Sequence, residues 1–382
     1  MRIALVLTQD RAGPADLTVA LALALNDLGV TVRVFGPRPV TSAGDVDHLL
    51  TEVEVGSKGD REGARALRAA LDRFDPDLVH AQDRRSALAV TLLAGRPGTP
   101  VVATYHGLPD AATDAYARPG IGTLLRVPPR EAAVLAADAA VARRCAVTVT
   151  PADAMRRFLR TRLGVPAARV RTILNGVPMH PVRTPPERPR VLVTTGSFSP
   201  RKAAGALVEA FTRLARDHED LSLLLVGGSE GDQRPQLRER VERAGLSGRV
   251  TFTGYRTDVP AFLARADVFA LPSLSETLPL ALLEAMGAGL ACVASDAGST
   301  AEAMPPGTGL LVRPGDVDGL TDALRRLVEV PGLARALGAS AAARAREAFS
   351  IERCAREHAD LYAQVLSTTR RSTPRTGAAA AR

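Results

Sequence analysis

Two glutamates eight positions apart, Glu276 and Glu284, are the residues whose types and spacing most directly suggest chemistry. A strand predicted at residues 267–271 precedes them, and Pro279 lies where a helix is expected to start, since the first turn does not use its missing N–H. Free N–H groups around Leu280 then stabilise an anion. Such a segment suits a nucleotide-diphosphate sugar, which has hydroxyls at both ends and phosphates between them. The alternative is an ordinary strand and amphipathic helix.

A second candidate anion site is the loop 196–202, which links a predicted strand to a helix and contains Ser197, Arg201 and Lys202. Only two of the 49 basic residues are lysines. A lysine retained in such a chain favours a compact charge at a place where a planar guanidinium would not fit. The alternative is an exposed residue at a helix start, and we interpret the other lysine, Lys58, as a loop residue.

Three more strand ends carry candidate ligand groups. Gly13, between the first strand and the first helix, allows the backbone to approach a ligand closely. His106 follows a strand and would either hydrogen-bond a sugar hydroxyl and shape the reaction centre or serve as a structural histidine. Backbone groups at Tyr255 and Arg256 could pair with a nucleobase edge. The G-x-G-x-x-G fingerprint is absent, which argues against a nicotinamide dehydrogenase.

Composition limits the class of protein. A chain of 382 residues with 46% hydrophobic and 24% charged residues predicts two soluble α/β domains. Aromatic residues make up 3% and tryptophan is absent, which disfavours binding of single-stranded nucleic acid. The net charge of +8 is compatible with an acidic substrate or an anionic surface. The three cysteines lack metal-ligand spacing, so we expect reduced thiols.

Short apolar strands alternate with helical patterns throughout, which predicts the α/β class with two Rossmann-like parallel sheets and a ligand cleft between them. A helix at residues 15–28 is expected to end with Gly29 in the left-handed conformation, and the proline-rich stretch 177–189 is expected to form a stiff linker. The predicted strands are residues 3–7, 30–35, 77–80, 101–104, 146–149, 170–174, 190–195, 221–226, 250–253, 267–271, 290–294 and 309–312.

Membrane association is a separate question. We see no signal peptide, and the apolar run at residues 17–25 is too short to span a bilayer, so we expect a cytoplasmic location. The basic segment 155–163 has interleaved apolar residues. It is interpreted as a solvated helix face, with peripheral contact to an anionic membrane as the alternative.

The chain resembles the family-4 glycosyltransferases of the GT-B fold over about residues 1–366. Glu276-x7-Glu284 followed by Ala-Met is the most specific match. The other matching pieces, in family order, are Tyr105-His-Gly107, Ile173-Leu-Asn-Gly-Val177, Gly196 to Lys202, Ala-Ser-Asp-Ala-Gly298 with Glu302, and Thr308-Gly-Leu-Leu-Val.

The resemblance implies retaining transfer of a hexosyl unit from a UDP-sugar or GDP-mannose to an unidentified glycan, lipid or small molecule, without a metal cofactor. It implies that Glu284 binds the ribose and Glu276 the donor sugar. Lys202 and the helix-start amides would hold the diphosphate. The Gly13 loop would close over the phosphates, and His106 would lie beside the transferred sugar.

The same resemblance implies a domain layout. Residues 1–180 would bind the acceptor, partly through variable loops at 108–130, and residues 181–350 would bind the nucleotide sugar. A helix at 351–366 would cross back to the first domain, and residues 367–382 would form a disordered tail.

Some positions depart from the family pattern. Ser197 stands where an arginine usually helps to hold the phosphates, although Arg201 could replace that charge. Ala12 and Ser299 stand where second glycines are common. The alternatives are a sugar-nucleotide epimerase, a phosphorylase, for which we find no cofactor lysine, and a non-catalytic binding protein of the same fold.

Overall fold

The structure is a computed structural model that describes residues 1–11, 13–40, 43–57, 59–96, 98–108, 128–228 and 232–372. Lys58, Ala12, most of the predicted acceptor loop 108–130 and residues 373–382 lie outside the described residues.

The first domain is a parallel sheet with helices on both faces. Within the described residues it has seven strands in the order β3-β2-β1-β4-β5-β6-β7. The strands are β1 (Arg2–Val6), β2 (Thr31–Gly36), β3 (Leu50–Glu52), β4 (Leu78–Ala81), β5 (Val101–Thr104), β6 (Val147–Thr150) and β7 (Val170–Thr172). The helices are α1 (Gly13–Asp27), α2 (Ala43–Val46), α3 (Arg61–Phe74), α4 (Arg84–Leu88), α5 (Pro129–Arg144) and α6 (Asp153–Thr161).

The second domain repeats this plan with six parallel strands in the order β10-β9-β8-β11-β12-β13, again counted over the described part of the chain. The strands are β8 (Val191–Gly196), β9 (Ser222–Gly227), β10 (Val250–Gly254), β11 (Val268–Leu271), β12 (Ala291–Ser295) and β13 (Leu310–Val312). The helices are α7 (Ala204–Leu214), α8 (Arg234–Arg243), α9 (Val259–Leu263), α10 (Leu280–Gly287), α11 (Thr300–Ala303), α12 (Val317–Glu329), α13 (Leu333–Ala348) and α14 (Ile351–Ser372).

Both sheets are buried on both faces, which explains their nearly continuous apolar strands. In β1, Ile3 and Leu5 join one apolar cluster, whereas Ala4 and Val6 join the cluster on the opposite face. All the predicted strands are present within one or two residues, and the predicted fold class is confirmed. Gly29 has the expected positive φ of 76°. The strand β3 was missed because it is a three-residue edge strand without an apolar run.

The chain crosses between the domains twice, and the two crossings are hydrogen-bonded to each other. Val177 N donates to Phe349 O at 2.8 Å, and Ile351 N donates to Val177 O at 3.0 Å. Gly176 allows this close approach, since a Cβ there would lie 2.6 Å from the Cβ of Cys354. The linker after residue 177 packs on the second domain, where Arg183 N donates to Ala288 O at 2.8 Å.

Helix α14 returns to the first domain, where Leu361, Tyr362 and Val365 join a buried cluster that includes strand residues of that sheet. It extends to Ser372, six residues beyond the predicted end at 366 and into the segment predicted to be disordered. In this last stretch the Thr368 hydroxyl donates to Gln364 O and the Thr369 hydroxyl to Val365 O, at 3.0 and 2.9 Å. Such bonds satisfy the threonine hydroxyls within the helix itself, so these polar side chains need no tertiary partner there.

Candidate active site

The site residues follow strands that lie at, or one strand away from, the points where the strand order reverses. In the second sheet β8 and β11 are neighbours at that point; Lys202 follows β8 and Glu276 follows β11. In the first sheet, Gly13 follows β1 and His106 follows β5. Ligands of open parallel sheets bind beyond the carboxyl ends of the strands at such a switch point. The topology therefore explains why residues far apart in sequence meet here.

The segment between Glu276 and α10 is contacted by the first domain. A Cβ added to Gly13 would lie 3.6 Å from Leu280 Cδ1, and one added to Gly107 would lie 3.6 Å from Thr277 Oγ1. The Asn175 side-chain amide donates to Leu278 O at 3.1 Å. The loop before α10 is therefore held between the two domains, as expected for a cleft site.

Glu276 is bound by two cations. Its Oε1 lies 2.6 Å from Lys202 Nζ, and its Oε2 lies 3.5 Å from Arg201 Nη1, which also donates to Ser275 O at 2.6 Å. The Glu276 side chain is only 6% exposed, whereas that of Lys202 is 19% exposed. Two positive charges thus face one buried carboxylate, so the cluster has an excess of positive charge available to an anionic ligand.

The loop that carries these cations has an unusual backbone. Pro200–Lys202 forms one 3-10 turn, and Ala203 follows with φ 48° and ψ 37° before α7 begins. This left-handed conformation disfavours residues that have a Cβ. The loop therefore stores strain directly after Lys202, whose side chain is paired with Glu276.

Replacing Ala203 by glycine is expected to raise the free energy of unfolding by about 1 kcal/mol, because glycine adopts positive φ without the steric penalty. Urea unfolding followed by circular dichroism measures the difference. The matched control is Ala204→Gly, one residue further on, inside α7. Glycine should destabilise the chain there, since it lowers helix propensity. Destabilisation by Ala203→Gly would contradict this account.

Helix α10 begins as the sequence predicted. Pro279 is its N-cap residue, Leu280 is its first helical residue, and Glu284 lies in the second turn. The first N–H groups of the helix have no intrahelical acceptor and point toward the same edge as Lys202. Burial, with a smaller contribution from the nearby Asp16 carboxylate, raises the pKa of Glu284 to about 7. Among the residues that the structure describes, none donates a hydrogen bond to the Glu284 carboxyl group.

His106 lies half-buried at the end of β5. Burial, together with the neighbouring His358, lowers its pKa to about 4, so the ring is neutral at physiological pH. Its Nε2 atom is buried and lacks a hydrogen-bond partner in the described part of the chain. A neutral ring with one free nitrogen is suited to hydrogen bonding with a ligand hydroxyl rather than to charge stabilisation.

A buried polar network connects this region to α14. The His80 Nδ1 atom accepts hydrogen bonds from the Tyr362 hydroxyl at 2.7 Å and from Gln82 Nε2 at 3.0 Å. Its proton must then be on Nε2, which donates to Thr104 Oγ1 at 2.7 Å. The His358 ring stacks on His80 with 5.4 Å between centroids. Helix α14 thus contributes Tyr362 and His358 to a polar network that also includes Thr104, the last residue of the strand that precedes His106.

Other predicted residues lie further out. Tyr255 is 46% exposed at the end of β10, and the Arg256 guanidinium forms two 2.8 Å hydrogen bonds with the Asp258 carboxylate. Ser197 lies next to Gly196 at the end of β8. Two side chains that join the domains here, Asn175 and Glu302, were not predicted as site residues. Both occur within the motifs that carry the family resemblance, which was the available signal.

Two family models match the chain in succession. The model described as Glycosyltransferase Family 4 matches residues 13–180, and the model described as Glycosyl transferases group 1 matches residues 189–330. The chain belongs to glycosyltransferase family 4. The resemblance stated from the motifs is therefore confirmed, and the chain is an enzyme of the hexosyltransferase type.

Curated relatives agree with this assignment. Over 339 residues the chain is 29% identical to a glycogen synthase of Mycobacterium tuberculosis, covering 86% of this chain and 79% of the relative. Over 350 residues it is 29% identical to an MMP alpha-(1->4)-mannosyltransferase of Mycolicibacterium hassiacum, covering 88% and 82%. These transferase relatives do not favour the epimerase or the non-catalytic alternative.

Solved structures share the fold. The sucrose-phosphate synthase of Thermosynechococcus elongatus superposes with a TM-score of 0.78 at 24% identity, covering 96% of this chain and 99% of that one. Anabaena Alr3699/HepE in complex with UDP-glucose gives a TM-score of 0.79 at 19% identity, covering 95% and 100%. This family-4 chain therefore has the GT-B architecture.

The segment considered for membrane contact is helix α6 and its C-terminal end. Met155, Phe158 and Leu159 are buried in an apolar cluster of the first domain, and the exposed residues of the helix include Arg157 and Arg160. This agrees with the solvated-face interpretation and leaves only polar and charged groups, such as Thr161 and the two arginines, for contact with an anionic membrane, which stays a prediction. Among the described residues, no helix has the length and apolar character needed to cross a membrane.

Proposed function

We propose that this glycosyltransferase moves a hexosyl unit from a nucleotide-diphosphate sugar to an acceptor with retention of anomeric configuration. The observation that carries the proposal is the cluster of Lys202, Arg201 and Glu276 beside the start of α10, with Glu284 one turn further on. The cations and helix-start amides would hold the diphosphate, Glu276 would bind the sugar and Glu284 would bind the ribose hydroxyls.

Bond breaking in this site moves negative charge onto the leaving diphosphate. Lys202 and the first amides of α10 would stabilise that charge in the transition state. Arg201 would supply the charge that the family usually takes from the position of Ser197. Glu276 would then exchange part of its contact with Lys202 for hydrogen bonds to the donor sugar.

Retention is explained by attack of the acceptor on the same face that the diphosphate leaves. In this mechanism the acceptor hydroxyl loses its proton to the departing phosphate oxygen, so no side chain has to act as a covalent nucleophile. Neutral His106 would hydrogen-bond the transferred sugar. We propose that the reaction needs no metal cofactor. Proton NMR of the product anomer tests retention, and turnover in EDTA tests metal independence.

The donor is proposed to be a UDP-sugar or GDP-mannose. Support for the first comes from the Anabaena protein in complex with UDP-glucose, and support for the second from the mannosyltransferase relative. The first domain, residues 1–180, would bind the acceptor, and residues 181–350 would bind the donor. A glycan, a lipid or a small molecule is equally compatible as the acceptor.

Glu284→Gln is expected to weaken nucleotide binding by about 10- to 100-fold at pH 8, because hydrogen bonds to a charged group contribute about 1.5–3 kcal/mol. Calorimetric titration with UDP, GDP and ADP measures the affinity and identifies the base. Since the pKa of Glu284 is about 7, its carboxylate is depleted below that pH. The ratio of wild-type to variant affinity should therefore fall about tenfold between pH 8 and pH 6.

The Glu284→Gln variant is also the control for the pH dependence of nucleotide affinity. The nucleotide phosphate itself titrates near pH 6, but it does so equally in both proteins and cancels in the ratio. Equal affinities of the two proteins at pH 8 would show that Glu284 does not bind the ribose. Absence of binding of all three nucleotides by the wild type would contradict the donor proposal.

A further inference from the structure

Glu302 joins the two domains through an unusual contact. Its two carboxylate oxygens accept hydrogen bonds from Asp153 N and Ala154 N, the first two amides of α6 in the other domain, each at 2.8 Å. Arg157 lies nearby, with Nη2 at 3.7 Å from Oε1. A carboxylate at this position satisfies two amides that have no intrahelical acceptor and interacts favourably with the helix dipole.

Helix α6 lacks a side-chain cap of its own. Its N-cap residue is Ala152, which has the extended conformation typical of caps, with φ −156° and ψ 154°, but carries no hydrogen-bond acceptor. The Asp153 carboxylate is engaged elsewhere, with Thr172 Oγ1 at 2.6 Å and Arg156 Nε at 3.0 Å. The cap of this helix is therefore supplied from the second domain, so that capping α6 and joining the domains are one interaction.

The contact lies one strand away from the reaction centre in both sheets. Helix α11, which carries Glu302, follows β12, the neighbour of the β11 strand that precedes Glu276. Helix α6 follows β6, the neighbour of the β5 strand that precedes His106. Adjacent strands are about 4.8 Å apart, so this contact links the two sheets close to the strand ends that carry the proposed catalytic residues.

We infer that Glu302 is a positioning residue that holds the acceptor domain over the donor site. The inference rests on the proposed function, in which donor groups lie mainly in the second domain while His106 and the Gly13 loop come from the first. Loss of the Glu302 contact should leave the diphosphate and ribose groups in place. It should, however, reduce the population of molecules in which both domains meet the sugar.

Glu302→Ala is expected to lower turnover of the nucleotide sugar about 10- to 100-fold, the loss of at least one hydrogen bond to a charged group. Donor hydrolysis without acceptor is a sufficient readout. Affinity for the nucleoside diphosphate should change less than threefold. Small-angle X-ray scattering should give a larger radius of gyration than for the wild type. Unchanged turnover and unchanged radius would overturn the inference.

A second variant separates the interdomain role from simple stabilisation of α6. Ala152→Ser in the Glu302→Ala background gives the helix a cap of its own and is expected to restore about 1 kcal/mol of stability. Turnover should remain low and the radius large, because the contact that Glu302 makes between the domains is still missing. Recovery of turnover together with stability would mean that Glu302 only caps the helix, and the inference would fail.

Arg157→Ala is the matched control. It removes the cation closest to Glu302 while leaving both amide hydrogen bonds in place, so turnover and radius should match the wild type. The scattering comparison needs no substrate. If the wild type bound no nucleotide, the donor proposal would fail, whereas the difference in radius between wild type and Glu302→Ala would still decide the role of Glu302.

Discussion

Replacing Lys202 by methionine is expected to lower turnover by about 10²- to 10³-fold, the usual effect of removing one group that stabilises developing negative charge. Lys202 Nζ lies 2.6 Å from the Glu276 carboxylate at the carboxyl end of β8, beside the start of α10. A departing diphosphate gains charge in the transition state that the bound donor does not have. Turnover should therefore fall more than donor affinity, which we expect to weaken by about tenfold at most.

Two variants control for this substitution. Lys202→Arg keeps the charge but introduces a planar and larger head group, so intermediate turnover is expected. Lys58→Met makes the same chemical change at the chain's other lysine and should leave turnover unchanged. Turnover of Lys202→Met within threefold of the wild type would show that this cation does not act on the leaving group.

Acidification is expected to destabilise the protein strongly through its buried histidines. Burial lowers the pKa of His106 and of His358 to about 4 and that of His80 well below its ordinary value of 6.5. The unfolded chain binds these protons below about pH 6.5, whereas in the folded chain His106 and His358 do not bind them until about pH 4, and His80 also stays neutral well below pH 6.5. Their stabilisation is therefore complete above pH 6.5 and is lost as the pH falls from 6.5 to 4.

Glu284 acts in the opposite direction. Its pKa of about 7 in the folded chain lies above the ordinary value of 4.5, so it favours the folded state as the pH falls through that window. Between pH 5 and pH 6 the unfolded chain binds about three more protons than the folded chain at the histidines and about one fewer at Glu284. The unfolded chain therefore binds about two more protons in total. The free energy of unfolding should therefore fall by about 2 to 3 kcal/mol per pH unit between pH 6 and pH 5.

Urea unfolding at a series of pH values tests this slope. His358→Leu places an apolar side chain of similar size at a site only 4% exposed and removes one titrating group. The free energy of unfolding of this variant should change less with pH, by about 1.4 kcal/mol per pH unit, because one titrating proton has been removed. Glu284→Gln should make the slope steeper by the same amount. Equal slopes for wild type and His358→Leu would contradict the assignment of a buried neutral ring.

Most helices and strands could be located from the sequence because the patterns that predict them are local. Apolar runs that alternate with amphipathic stretches identify parallel strands and their covering helices, and a proline before Leu280 marks the start of α10. Strand β3 was not predicted, since two half-buried residues and one exposed residue at the sheet edge carry little burial signal. Helix α14 exceeded its predicted length because its last residues are polar, so apolar periodicity gave no signal for them.

The candidate site was predicted in its residue types but not in its contacts. The sequence showed two glutamates at family spacing and a lysine retained in an arginine-rich chain. It did not show that Lys202 and Glu276, 74 residues apart, form an ion pair, or that Arg201 shares the carboxylate. The two basic residues were predicted for a diphosphate, and the ligand-free chain pairs them with a carboxylate instead.

By itself the sequence determined the α/β class, the two Rossmann-like sheets and the identity of the residues at the strand ends, because these depend on backbone periodicity over about ten positions. Only the tertiary structure decided that His106 is neutral, that Glu284 titrates near pH 7 and that Glu302 caps a helix 149 positions away. Charge state and interdomain contact depend on atoms that the fold brings within a few ångströms, and no local pattern encodes that proximity.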